Sequence, residues 1–181
     1  MASDRDDLLA LYRARVADYD EKSQDDWRRW CRTVLGHGGD LVVPPTKLDP
    51  DLDFLLEAAV PQSRPVESLE LEGSCHSHVT GLWLDRDIDA VGTGYALSGG
   101  LWRQHSWGIG RDGVLWETKW TCEHYIGVTL PSGEPTVRFV LNNYAGDIKE
   151  VLRQGSVRAR EIIAVLRASR ERRIKSGPEN A

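Results

Sequence analysis

With 181 residues, 40% of them hydrophobic and 28% charged, the chain has an ordinary globular composition, which excludes wholesale disorder. It is long enough for one domain with a real core and too short for two full ones. Its net charge of -5 argues against nucleic acid as the main partner, because phosphate binding leans on clustered Lys and Arg.

The start, MASDRDDLL, is acidic: Asp4, Arg5, Asp6 and Asp7 stand where a signal peptide would need its apolar stretch. No segment approaches the roughly 20 apolar residues of a membrane span, so no membrane partner is expected. Cys31, Cys75 and Cys122 are an odd number without a close pairing pattern, which predicts free thiols in a reducing cytoplasm.

Residues 5–35 carry apolar side chains at Leu8, Leu9, Leu11, Tyr12, Val16 and Tyr19, then at Trp27, Trp30, Cys31 and Val34. That spacing predicts one long or two successive amphipathic helices, interrupted near Ser23, and GHGGD stops them. A second helix is expected over 49–60, capped by Asp49, with Pro50 in its first turn and Pro61 preventing its continuation. In LEGSCHSHVTGLWL, His78, Val79, Leu82 and Trp83 follow Cys75 at helical spacing, with Ser74 as the cap. From Ile88 to Val140 alternation and turns predict five strands: DAVGTGYALS, LWRQHSWGIG, VLWETKW, HYIGVTL and TVRFVLN. Residues 146–174 read as helical with a break at Gly155 and Ser156, and the basic run RASRERRIK as a solvated helix face.

The expected architecture is α+β: N-terminal helices, a central antiparallel β-sheet and a C-terminal helix. One domain is expected over 1–181, with a helical part (1–62), a helix plus sheet (63–145) and closing helices (146–181).

Cys75 in the first turn of a helix would meet unpaired amide hydrogens and the positive end of the helix dipole, which favour a thiolate. A thiolate is a nucleophile, and the same amides suit a tetrahedral oxyanion. Such a cysteine needs a base and a group that orients the base, and QHSWGIGRDGVLWET supplies His105 and Glu117. A two-residue DG turn would put Glu117 on the opposite face from His105. A three-residue RDG turn with Gly113 left-handed would put Glu117 opposite Trp107, diagonal to His105 on one face.

A helix-borne cysteine, a strand with His-x-Trp and a strand with a carboxylate resemble the core of the papain-like and transglutaminase-like cysteine enzymes. SCHSHVTGLWL, GTGYALS, HSW and DGVLWET also resemble a pattern in small uncharacterised bacterial proteins. The resemblance spans about a quarter of the chain, Gly73 to Thr118. It implies a papain-like or transglutaminase-like fold with Cys75 as nucleophile, His105 as general base and acid, and Glu117 as orienting carboxylate. His78 stands where that pattern has asparagine, and Glu117 where many relatives carry aspartate. The implied activity is cysteine-dependent acyl transfer by a peptidase, amidase, deamidase or acyltransferase, with a peptide or amide/acyl substrate and no cofactor.

Three further residues are candidate substrate contacts. Trp107 flanks His105, His78 follows Cys75, and Gln104 could donate to an oxyanion, although alternation puts it on the opposite face from His105. One alternative is a zinc site on Cys75, His78, Cys122 and His124, as C-x-x-H and a distant C-x-H. Another is a non-catalytic partner module of the same fold that uses its terminal helices. His76 and His37 read as surface polar residues. GTGYALSGG lacks the lysine of a phosphate loop.

Overall fold

Five of the seven tryptophans (Trp27, Trp30, Trp83, Trp102 and Trp107) have essentially no exposed surface. Their positions define where sheet and helices meet. The computed structural model describes residues 2–176. The chain begins with α1 (Ala2–Ala17) and α2 (Glu21–Leu35), followed by β1 (Leu41–Val42), α3 (Leu52–Ala58), β2 (Val60–Pro61) and β3 (Val66–Ser68). Helix α4 (Cys75–Asp85) leads into β4 (Ala90–Ser98), β5 (Leu101–Ile109), β6 (Leu115–Glu117) and β7 (His124–Thr129). Helices α5 (Glu134–Asn143), α6 (Ile148–Arg153) and α7 (Val157–Ser176) close the described chain. The class is α+β, as the sequence predicts.

The strands form one seven-stranded sheet in the order β2-β7-β4-β5-β6-β3, with β1 also on β5. Strands β4, β5, β6 and β7 pair antiparallel, but β1 runs parallel to β5 and β3 parallel to β6. The sheet is therefore mixed, not purely antiparallel. The short strands that make it so lie in loops whose sequences show no alternation to announce them. Through β1 and β2, the N-terminal part expected to be helical contributes two strands to the sheet.

One sheet face carries Tyr95, Leu97, Trp102, Ile126 and Val128 beneath Trp27 and Trp30 of α2, Val79 and Trp83 of α4, and Val137 and Val140 of α5. Tyr95 packs at 6.0 and 5.3 Å from the Trp27 and Trp30 rings. Truncating either tryptophan to alanine in so dense a core costs about 3–5 kcal/mol. A smaller cluster of Ala96, Trp107, Ile109, Leu115 and Tyr125 lies on the other face. Trp107 fits there because β4 offers no side chain opposite it: a Cβ on Gly92 would come 2.0 Å from the indole Nε1.

Several predicted boundaries move. TVRFVLN lies in helix α5: Pro135 sits in the first turn, and Thr136, Val137, Phe139 and Val140 are buried at the spacing of a helix face. Its β-branched residues favour a strand locally, and packing against α4 and α7 overrides that preference. The first helical break falls at Asp18–Asp20, not near Ser23, because the Asp20 carboxylate accepts the Ser23 amide and caps α2. Helix α3 starts later than expected: Asp51 occupies the N-cap, while the buried Asp49 carboxylate accepts the Asp51 amide. The break between α6 and α7 falls at Gly155, as predicted. No helix among the described residues is long and apolar enough to cross a membrane.

Candidate active site

The turn between β5 and β6 fixes the position of Glu117. Gly110 N–H donates to the Val114 carbonyl at 2.9 Å and Gly113 N–H to the Gly110 carbonyl at 3.0 Å, enclosing the three residues Arg111 to Gly113. Gly113 has φ 81°, a conformation that costs a side-chain-bearing residue strain. Gly108 consequently pairs with Trp116. One more step of this register puts Glu117 across from Trp107, on the face of His105, so the three-residue alternative is the one adopted.

His105 Nε2 lies 2.7 Å from Glu117 Oε2, and both side chains are buried. Glu117 has no exposed surface, and three donors satisfy it. Besides His105, the Tyr125 hydroxyl donates to Oε2 at 2.9 Å and the Lys119 amide to Oε1 at 2.7 Å. A buried carboxylate is tolerable when its acceptor sites are filled in this way. The His105 ring lies between Trp107, stacked at 6.5 Å, and Tyr125 at 6.2 Å. This packing holds the imidazole in one orientation.

Cys75 is the first residue of α4. Ser74 takes the N-cap position with extended backbone, but its hydroxyl makes no capping bond. Its carbonyl accepts the His78 amide at 3.0 Å. The first-turn amides are thus left without a side-chain partner, the condition that favours negative charge at a helix start. Val79, Thr80, Trp83 and Leu84 anchor the helix in the core, leaving Cys75 half-buried at its end.

Burial opposes the thiolate and is the largest single influence on Cys75. Hydrogen bonds and charge from His105 and His76 together outweigh it and lower the thiol to about 5. Burial likewise opposes the imidazolium of His105, yet Cys75 and Glu117 raise that ring to about 9. The two shifts run in opposite directions, each caused in part by the other group, and favour a thiolate–imidazolium pair. Glu117 holds Nε2, so Nδ1 is the nitrogen left to serve the sulfur.

His76 departs from its expected surface role. It is half-buried, its Nδ1 lies 2.6 Å from Ser106 Oγ, and its ring meets the edge of Phe139. Cys75 and His76 are adjacent in sequence, as are His105 and Ser106. A helix end laid across β5 makes both contacts at once, and that crossing is what the sequence leaves unstated. Tyr125 also escapes sequence reading, because its place beside His105 depends on β7 and β5 flanking β4.

The candidate substrate contacts do not gather around the sulfur. Trp107 has no exposed surface, so it orients His105 and does not wall an open cleft. Gln104 donates instead to Asp49 Oδ2 at 2.9 Å, on the face away from His105. His78 turns toward Gly73, and its buried Nδ1 has no partner among the described residues.

The four alternative zinc ligands are likewise not brought together. The one group of metal-type donors among the described residues is His105, Glu117 and Cys122, with donor atoms within 4.8 Å of one another. Its His–Glu distance of 2.7 Å is a hydrogen bond. Ligands each about 2.0–2.1 Å from a zinc ion in tetrahedral array stand farther apart than that. His124 is exposed at the start of β7.

No protein-family model, curated protein or solved structure matches the chain.

Proposed function

We propose that the protein is a cysteine-dependent acyl-transfer enzyme in which Cys75 is the nucleophile, His105 the proton carrier and Glu117 the group that orients it. The observation that carries this reading is the place of one imidazole: His105 is held by buried Glu117 through Nε2 at 2.7 Å, and the same ring lowers the Cys75 thiol while the cysteine raises it in return. The order of the parts supports a papain-like or transglutaminase-like arrangement: cysteine at a helix start, histidine on a strand, carboxylate on the next.

The Cys75 thiolate attacks the carbonyl carbon of a peptide, amide or other acyl donor, forming the C–S bond and moving the carbonyl π electrons onto oxygen. First-turn amides of α4 are placed to hold that oxyanion, an interaction worth about 10²–10³ in rate at related sites. Collapse expels the leaving group, which takes the Nδ1 proton of His105. Water or an amine then attacks the thioester and passes its proton back to Nδ1, and the C–S bond breaks. Glu117 keeps its proton-accepting role toward Nε2 throughout, fixing the ring tautomer and stabilising the imidazolium.

Intact-mass analysis after exposure to p-nitrophenyl acetate tests the proposal. The expected result is an acetyl adduct at Cys75 that turns over, is absent in Cys75→Ser and is strongly slowed in His105→Ala. An adduct elsewhere, or one at Cys75 indifferent to His105→Ala, would favour a partner-binding module without catalysis.

A further inference from the structure

His76 faces more than the sulfur, Ser106 and Phe139. It also lines a cavity of about 400 Å³, shared with Asp49, Thr93, Gln104, Asn142 and Asn143. Asp49 is 3% exposed, a deep burial for a carboxylate. Its Oδ1 accepts the Asp51 amide and its Oδ2 the Gln104 amide, both at 2.9 Å. Both donors are neutral.

Besides His76, whose charge favours the Asp49 carboxylate, Arg138 and Lys47 border the cavity, and neither pairs with Asp49. Arg138 is held by Asp51 at 2.7 Å, and Lys47 is exposed and in no ion pair with Asp49 among the described residues. A carboxylate so deeply placed with no ion-pair partner at contact distance is costly, and burial raises its pKa although the two amide donors and the charge of His76 work the other way. Each carboxylate oxygen can accept more than the one bond it has.

The other walls are also rich in acceptors. Asn143 spends its amide nitrogen on the Phe139 carbonyl, which leaves its oxygen available, and Thr93 adds a hydroxyl. One compact group that brings both positive charge and three N–H donors would satisfy all of these.

We propose that this cavity seats a primary ammonium group on Asp49, so that the natural substrate carries an amine on the His76 side of the reacting carbonyl. The placement relative to the carbonyl rests on the acyl-transfer reading. Ammonium binding itself does not.

Calorimetric titration of the full chain with n-butylammonium chloride tests the proposal, with sodium chloride at equal ionic strength and butan-1-ol as controls. Saturable one-site binding of the ammonium, and not of the alcohol, is expected. Asp49→Asn should weaken it about tenfold or more. Asn142→Lys, a change at an exposed wall residue that sets a rival cation at the cavity, should weaken it several-fold. Cys75→Ala should bind as the wild type does.

No saturable binding to the wild type overturns the proposal. So does wild-type affinity in Asp49→Asn or, should that variant not fold, in Asn142→Lys. Intact ammonium binding in a protein whose Cys75 never acylates would remove the acyl-transfer reading and leave the site standing.

Discussion

Cys75 and Cys122 are both half-buried, and both face the same His105–Glu117 pair, yet their thiols are driven in opposite directions. Cys75 meets the imidazole end, with His76 beside it and a helix start behind it, and is lowered to about 5. Cys122 meets the carboxylate end, where burial and then Glu117 raise it to about 11. Its sulfur donates toward the Trp120 carbonyl at 3.6 Å. Desolvation works against the thiolate at both. Burial alone suffices to hold a thiol up, and Glu117 adds to it at Cys122, whereas at Cys75 the neighbouring histidines reverse the direction.

This contrast can be broken at either end. The largest effect is expected from His105→Gln, which keeps a donor for Glu117 but removes the cation. Returning Cys75 to an ordinary thiol lowers its thiolate fraction at neutral pH, and iodoacetamide alkylation should slow about a hundredfold. Glu117→Gln should act on the two thiols with opposite signs. Cys75 alkylation falls about tenfold as the imidazolium loses its partner, while Cys122 gains reactivity in mild alkali. Residue-resolved mass spectrometry reads both in one sample.

His76→Ala should shift Cys75 in the same direction as His105→Gln but less, since the thiol keeps its main partner. The smallest effect is conformational. Gly113→Ala places a side chain at φ 81° and should cost about 1 kcal/mol, read as a melting temperature lower by about 2–4 °C.

Much of this site could be read from the sequence because its determinants are local. The register that unites His105 with Glu117 is set by a turn only three residues long, so weighing a two-residue against a three-residue turn was enough to reach it. The position of Cys75 followed from helical spacing within α4. What stayed hidden depends on distant contacts. Gln104 reaches Asp49 across 55 residues, and Tyr125 reaches Glu117 only because β7 flanks β4. His76 becomes a second neighbour of the sulfur only where α4 crosses β5. The strand predicted over TVRFVLN failed for a related reason: its β-branched residues report local preference, and α5 is held by a packing face that propensity does not encode.

The direct test of this account is the pH dependence of alkylation, followed separately at Cys31, Cys75 and Cys122. The thiolate is the reactive form, so each rate rises with pH through its own thiol's pKa. Cys75 should rise through about 5 and be near its plateau by neutrality, while Cys31 and Cys122, raised to about 11 chiefly by burial, stay unreactive until strong alkali. Three superimposable curves, or a Cys75 midpoint at the ordinary thiol value, would contradict the ion pair and the chemistry proposed from it.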